Sequence, residues 1–169
     1  MTHNARILGS LRSEDGKGVV HMEDRFDTDI DDLWSAITDP SRLARWYGEI
    51  AGDLRAGGEY RARLFASGWE GAGRIEVCEP PRRLVVTGKE ADQPEGDITE
   101  VTLTADGDQT LLVLDQRGIP LDLLAAYGAG MQVHIEDLAE HIAGRGRVDA
   151  AQRWDELQPD YEELAAKVN

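Results

Sequence analysis

The period of the hydrophobic pattern changes once along this chain, and that change constrains the fold more than any single motif. Between residues 49 and 118 apolar and polar residues alternate, as at Tyr60, Ala62 and Leu64, which is typical of strands with one buried face. A polar loop over residues 91–96 interrupts this pattern. Over residues 121–144 apolar residues recur at spacings of three and four, which predicts one long amphipathic helix.

Two short helices are predicted ahead of this run of strands. Thr28 or Asp29 can cap the first helix, and Asp39 followed by Pro40 can start the second, because Asp accepts from free backbone N–H groups and Pro suits the first helical position. The apolar stripes of the two helices comprise Ile30, Leu33, Trp34, Ile37, Leu43, Trp46 and Tyr47. Residues 7–11 and 18–26, separated by turn formers, are predicted as a hairpin.

Together these elements predict an α+β domain over residues 1–146, in which a curved antiparallel sheet wraps around the long helix. Such an arrangement encloses a cavity between sheet and helix. The residues predicted to line this cavity are Trp46, Tyr60, Leu64, Trp69, Gln116, Tyr127, Met131 and His134. Of these, the two tryptophans lie near the ends of predicted elements and are expected at the rim.

Two polar residues in that set leave their roles open. Gln116 continues the inward series of Leu112 and Leu114, so its amide needs a partner, which is either a ligand or a side chain of the long helix. His134 lies at the edge of the apolar stripe. It is either an acid or base facing the cavity or a boundary residue with an ordinary hydrogen bond.

Two glycines within the long helix, Gly128 and Gly130, also require an explanation. Each costs about 1 kcal/mol relative to Ala. Close packing against a strand would account for them, and so would room for a ligand beside the helix.

The last segment, residues 147–169, is predicted as a helical tail. Its apolar stripe comprises Trp154, Leu157, Tyr161 and Leu164. Pro159 is expected to kink the helix or to begin a separate last helix. The stripe would be exposed unless it docks on its own domain or on another copy, so a homodimer through the tail is possible.

The charge balance excludes several classes of partner. The net charge is −15, from 18 basic and 33 acidic residues among 169, which opposes binding to nucleic acid and to anionic membranes.

No apolar run is long enough to span a membrane, and no signal peptide is visible. The single cysteine, Cys78, allows no internal disulfide, which favours a cytoplasmic protein.

The chain offers little for metal, cofactor or catalytic chemistry. His134 and His141 lie two turns apart on one flank of the predicted helix, too far to share a metal ion. Phosphate-binding glycine loops and the nucleophile elbow are missing from the sequence. We therefore predict no metal, no cofactor and no assigned catalytic residue.

Six spaced motifs occur in an order that resembles the SRPBCC superfamily, also called START-like or Bet v 1-like, with its helix-grip fold. They are Leu33-Trp34 with Thr38-Asp39-Pro40, Leu43-Ala-Arg-Trp46, Asp53-Leu-Arg-Ala-Gly-Gly58, Gly73-Arg-Ile-Glu-Val77, Pro80-Pro-Arg-Arg-Leu84 and Gly130-Met-Gln-Val-His-Ile-Glu-Asp-Leu138. The chain most resembles the homologues of the activator of heat-shock-protein-90 ATPase, over about residues 7–144. Two positions depart from that family's pattern. Met131 stands where a Trp is frequent, and Gly88 stands where an aromatic residue is frequent.

The resemblance implies three functions. The first is binding of a small hydrophobic or amphipathic molecule in the cavity, as many relatives do. The second is a chaperone-activator-like interaction module. The third is an enzyme of the polyketide cyclase or dehydratase type, for which His134, Gln116 and Tyr127 would be the first candidates. The residues favour a binding protein over an enzyme.

Overall fold

A computed structural model describes residues 7–89 and 96–168 of the chain. Its strands are β1 (Gly9–Glu14), β2 (Lys17–Phe26), β3 (Gly48–Gly52), β4 (Glu59–Leu64), β5 (Glu70–Glu79), β6 (Arg83–Lys89), β7 (Asp97–Asp106) and β8 (Gln109–Ile119). Its helices are α1 (Ile30–Thr38), α2 (Pro40–Trp46), α3 (Leu124–Ile142) and α4 (Ala150–Ala166). The strands form one curved antiparallel sheet in the order β1-β2-β8-β7-β6-β5-β4-β3, which confirms the predicted helix-grip fold.

The junction between α1 and α2 follows the predicted capping. The carboxylate of Asp29 accepts from the backbone N–H of Asp32 at 2.8 Å, and that of Asp39 accepts from the N–H of Ser41 at 2.9 Å. Pro40 occupies the first turn of α2, where its missing N–H costs nothing. These caps end α1 and start α2 at the same residue, Asp39.

The first hairpin is longer than predicted because its turn is only two residues. Asp15 and Gly16 both have positive φ, 54° and 80°, the conformation of a tight hairpin turn that matches the strand twist. The flanking residues therefore pair as strand, from Gly9 opposite Met22 to Glu14 opposite Lys17.

α4 covers the side of α3 that carries the polar residues Gln132 and Glu136. Leu157 and Tyr161 of α4 are fully buried. The Tyr161 hydroxyl donates to Gln132 Oε1 and accepts from the Gly9 N–H at 3.1 Å. Arg153 makes two hydrogen bonds to Glu136, at 2.6 and 2.7 Å. The last helix is therefore held by both apolar burial and a polar network.

The expectation of a separate helix beginning at Pro159 is wrong, because α4 runs through that residue as one helix. Burial of Leu157 before the proline and Tyr161 after it holds both halves of α4 against the rest of the chain. The stripe of the tail thus docks on its own chain, and it gives no reason to expect a homodimer. The domain boundary at residue 146 stays a prediction.

Bilayer crossing requires a helix that is both long and strongly apolar. Across the described ranges, α3 and the other helices fall short of that combination.

Candidate functional site

A cavity of about 860 Å³ lies between the inner face of the sheet, the two short helices and α3. Its volume falls within the range of small-molecule sites. Most of its walls are apolar, comprising Ile37, Leu43, Ile50, Leu54, Ile75, Leu84, Val86, Val101, Leu112, Leu114, Ile135 and Leu138 among others. The site is therefore built to surround an apolar body.

All eight residues predicted for the cavity contribute to its walls. The sheet side provides Tyr60, Leu64, Trp69 and Gln116, the short helices provide Trp46, and α3 provides Tyr127, Met131 and His134. The three α3 residues share a face because they are spaced by four and three. That these residues contact a ligand stays a prediction.

Trp46 lies in the wall of the cavity rather than at its rim. Its side chain is only 6% exposed, and its indole N–H donates to the Ala36 carbonyl at 2.9 Å. This bond joins the end of α2 to α1, so the ring cannot swing outward without leaving the donor unpaired. Trp69, immediately before β5, is only half-buried.

A β-bulge in β5 turns Cys78 toward the cavity. Ile75 pairs with Val86, but Val77 then pairs with Val85 and Cys78 with Leu84, which leaves Glu76 as the extra residue. The bulge reverses the alternation, so Ile75 and Cys78 both line the cavity while Val77 does not. Strict alternation could not find this residue.

Asp97 and Gln116 form a polar pair in the cavity wall. The Gln116 Nε2 donates to Asp97 Oδ2 at 3.0 Å, so this N–H group is paired with a neighbouring strand rather than with a side chain of α3. The amide oxygen of Gln116 is buried and meets no hydrogen-bond partner among the described residues. Burial raises the pKa of Asp97 to about 6, and the hydrogen bond from Gln116 opposes part of that rise.

Sequence reasoning missed Asp97 because it borders the predicted polar loop. The signal was present, because a period of two carries the face of the apolar residue Val101 back through Thr99 to Asp97. Thr99 and Asp97 both line the cavity, and β7 begins at Asp97. Of the loop itself, residues 91–95 lie outside the described residues.

The same end of the cavity contains Tyr60, whose ring lies over Gly73. A Cβ on Gly73 would approach the Tyr60 hydroxyl to 2.5 Å, so only glycine leaves room for this ring. The hydroxyl donates to the Thr87 carbonyl at 3.0 Å. Desolvation, with a smaller effect from the charge of Asp97, raises the pKa of Tyr60 to about 12.

Gly88 leaves a space that three side chains surround. A Cβ at this position would lie 3.6 Å from Asp97 Oδ1, 3.6 Å from the Tyr60 hydroxyl and 3.7 Å from the Trp69 ring. The polar groups therefore converge on one small region of an otherwise apolar cavity. An aromatic residue, which the family pattern favours here, would occupy that region.

His134 faces the cavity from α3 beside Tyr47. The two rings meet edge to face with centroids 4.9 Å apart. Burial lowers the pKa of His134 to about 4, so the ring is neutral at pH 7. Its Nδ1 is buried and has no partner within the described part of the chain, so the ordinary hydrogen bond expected for a boundary histidine is not made at this atom.

The two glycines of α3 are explained by different surroundings. Gly128 faces α4 and β1, and a Cβ there would come within 2.6 Å of the Tyr161 ring. Gly130 lines the cavity, and a Cβ there would meet nothing within 4 Å. Close packing explains the first, against a helix as well as a strand, and open space beside the helix accounts for the second.

These two glycines give a matched pair of substitutions. Gly130→Ala is expected to raise the free energy of unfolding by about 1 kcal/mol, because it adds helix propensity without a clash. Gly128→Ala is expected to lower it, because the Tyr161 ring must move. Denaturant unfolding of both variants tests this, and a Gly128→Ala protein as stable as Gly130→Ala would contradict the packing described between α3 and α4.

The curved sheet, the long helix and the cavity between them define a helix-grip protein of the SRPBCC class. Within the described residues, no three His, Cys, Asp or Glu side chains are placed to hold a metal ion. The sequence matches the family described as activator of Hsp90 ATPase homolog 1-like protein over residues 27–143. The chain belongs to this family.

Solved structures share this fold over nearly the whole chain. The crystal structure of CalU16 from Micromonospora echinospora has a TM-score of 0.77 at 28% identity, covering 94% of this chain and 96% of that one. DynU16, a protein of the dynemicin biosynthetic locus, has a TM-score of 0.71 at 26% identity, covering 80% of this chain and 51% of that one. The BPP1335 protein from Bordetella parapertussis shares the fold. Its TM-score is 0.70 at 20% identity, covering 96% of this chain and 95% of that one. No curated protein matches the sequence significantly.

Proposed function

We propose that this protein binds a small hydrophobic or amphipathic molecule in the cavity between the sheet and α3. One observation carries the proposal: a cavity of about 860 Å³ has mainly apolar walls and a few polar groups gathered at one end. Small-molecule sites commonly have this design, with apolar surface for affinity and a few polar groups for orientation. Each Å² of apolar surface that a ligand removes from water favours binding by about 25 cal/mol.

The relatives support a role in small-molecule chemistry. The family has the SRPBCC fold, and DynU16 comes from the dynemicin biosynthetic locus. We expect a ligand of a few hundred daltons, which native mass spectrometry of the purified protein would reveal as a retained adduct.

Cys78 provides a direct test of where a ligand sits, because it is the single cysteine of the chain and lines the cavity. The neutral fluorescent probe N-phenylnaphthylamine is expected to bind there and to slow alkylation of Cys78 by iodoacetamide. At ten times the probe's Kd only about a tenth of the molecules stay free, so the rate should fall about tenfold. Mass spectrometry of the alkylated protein measures this rate.

Two controls make this protection specific. Protein unfolded in urea should react at the same rate with and without the probe. If the probe's fluorescence saturates while the rate for folded protein stays unchanged, the probe binds elsewhere and the proposed site is wrong.

A second candidate is the polyketide cyclase or dehydratase type of enzyme, and Asp97 is the observation that favours it. A carboxyl whose pKa lies near 6 can both take and give a proton near neutral pH. Asp97, rather than His134, Gln116 or Tyr127, would then hold the proton. In an active preparation, Asp97→Asn should abolish turnover; unchanged turnover would remove this candidate.

The interaction-module alternative has weaker support. The link to a chaperone rests on the description of the family alone. The apolar stripe of α4, which suggested a protein contact, packs within the chain.

A further inference from the structure

The polar end of the cavity presents acceptors rather than donors. The Tyr60 hydroxyl proton is used on the Thr87 carbonyl, and the Gln116 amide donates to Asp97. Besides the Thr99 hydroxyl, which can donate or accept, what remains for a ligand are three acceptors: the Tyr60 oxygen, the Asp97 carboxylate and the buried Gln116 oxygen, which lacks a partner among the described residues. A ligand group that satisfies them must be rich in N–H or O–H donors.

No positive side chain balances the carboxylate of Asp97 in the described walls. The lining residues whose side chains the structure describes include no Lys and no Arg. The other titratable side chains in the described lining are Tyr47, Tyr60, Glu70, Cys78, Tyr127 and His134. His134 is neutral at pH 7, so the field at this end is negative.

We propose that the space over Gly88, bordered by Asp97, Tyr60 and Trp69, receives a protonated amine on an otherwise apolar ligand. An ammonium group carries three donors and one positive charge, which match the acceptors at this end of the cavity and its uncompensated carboxylate. An anionic group would instead be placed against Asp97 in a poorly solvated site. This inference rests on the proposed function, because it specifies the ligand class of the same cavity.

The protonation of Asp97 agrees with this assignment. Burial raises the pKa of Asp97 to about 6, as expected for a carboxylate removed from water without a cation. Asp97 is therefore largely ionised above pH 7 and able to pair with an amine. A bound ammonium would favour the ionised form of Asp97 further. The preference for a charged amine over a neutral ligand should therefore be lost only as the pH falls through about 6 and below.

The test compares naphthylmethylamine with naphthylmethanol, which share one apolar body and differ in the ammonium group. Each compound displaces N-phenylnaphthylamine from the full-length protein at physiological salt and pH 8. We expect the amine to bind at least about tenfold more tightly than the alcohol, the range of a charge-assisted hydrogen bond. Asp97→Asn should reduce this ratio to about one, because the amide carries no charge to pair with the ammonium group.

A surface control is needed because the whole protein is acidic. Asp155→Asn removes one charge at an exposed position of α4 and should keep the wild-type ratio. If both variants change the ratio equally, the amine senses the overall charge and the inference is overturned.

A pH series on the wild-type protein gives a result that does not depend on any variant folding. The ratio of the two affinities should be constant from pH 8 to 7 and decline below about pH 6. If the ratio is near one at pH 8 while the neutral probe still binds, the inference of an amine ligand is wrong and the proposed function is unaffected. Failure of the neutral probe to bind at all overturns both.

Discussion

Replacing Tyr161 by alanine is expected to lower the free energy of unfolding by about 4 kcal/mol, as when other large aromatic side chains leave a core. Tyr161 is fully buried, its ring packs against Gly128, and its hydroxyl joins the start of β1 to Gln132. Since small domains have about 5–15 kcal/mol in total, this loss would bring the protein near its limit of stability. Urea unfolding followed by circular dichroism measures the change.

Two further variants separate the causes of this loss of stability. Tyr161→Phe keeps the ring but leaves the Gly9 N–H without its acceptor, so we expect a loss of about 1–2 kcal/mol. Glu163→Ala, at an exposed position two residues further along α4, should change stability by less than about 0.5 kcal/mol. If Tyr161→Ala is as stable as Glu163→Ala, then α4 is not part of the core.

The docking of α4 shows what hydrophobic periodicity can and cannot predict. The spacing of Leu157 and Tyr161 correctly predicted a helix with an apolar stripe, but a period defines a face and not the surface that covers it. That surface includes Gln132 and Glu136 of α3, which a hydrophobic pattern assigns to solvent. Gln132 is buried because the Tyr161 hydroxyl and the Leu8 N–H both bond its oxygen, a long-range pairing that no local pattern contains.

The cavity was predictable wherever the alternation was regular. Tyr60 and Gln116 were found because β4 and β8 keep their period of two, and Met131 because α3 keeps its own. Cys78 was missed because a single extra residue in β5 reverses the alternation. Asp97 was missed because its polarity suggested a loop, although its strand position places it in the wall. A polar residue at the end of a strand, where no apolar neighbours flank it on both sides, is thus the kind of site residue that hydrophobicity alone assigns wrongly.

Replacing Gly88 by phenylalanine is expected to weaken binding of N-phenylnaphthylamine by roughly thirtyfold. The new ring would enter the space between Asp97, Tyr60 and Trp69, where a Cβ meets only ordinary contacts of 3.6–3.7 Å. The backbone therefore accepts a side chain, and the side chain takes volume from the ligand. Overfilling of a packed site typically costs about 2 kcal/mol, which corresponds to that change in Kd. Fluorescence titration of the probe measures it.

The matched control for Gly88→Phe is Val85→Phe on the same strand. Val85 pairs with Val77 and Glu100 and does not line the cavity, so the same ring is added to the opposite face of β6. We expect its affinity for the probe to stay within about twofold of wild type, because surface changes away from a site seldom exceed about 0.5 kcal/mol. If both variants bind N-phenylnaphthylamine equally well, the probe does not occupy the space over Gly88. If only Gly88→Phe loses binding and its unfolding transition is unchanged, the loss arises from the filled cavity rather than from a damaged sheet.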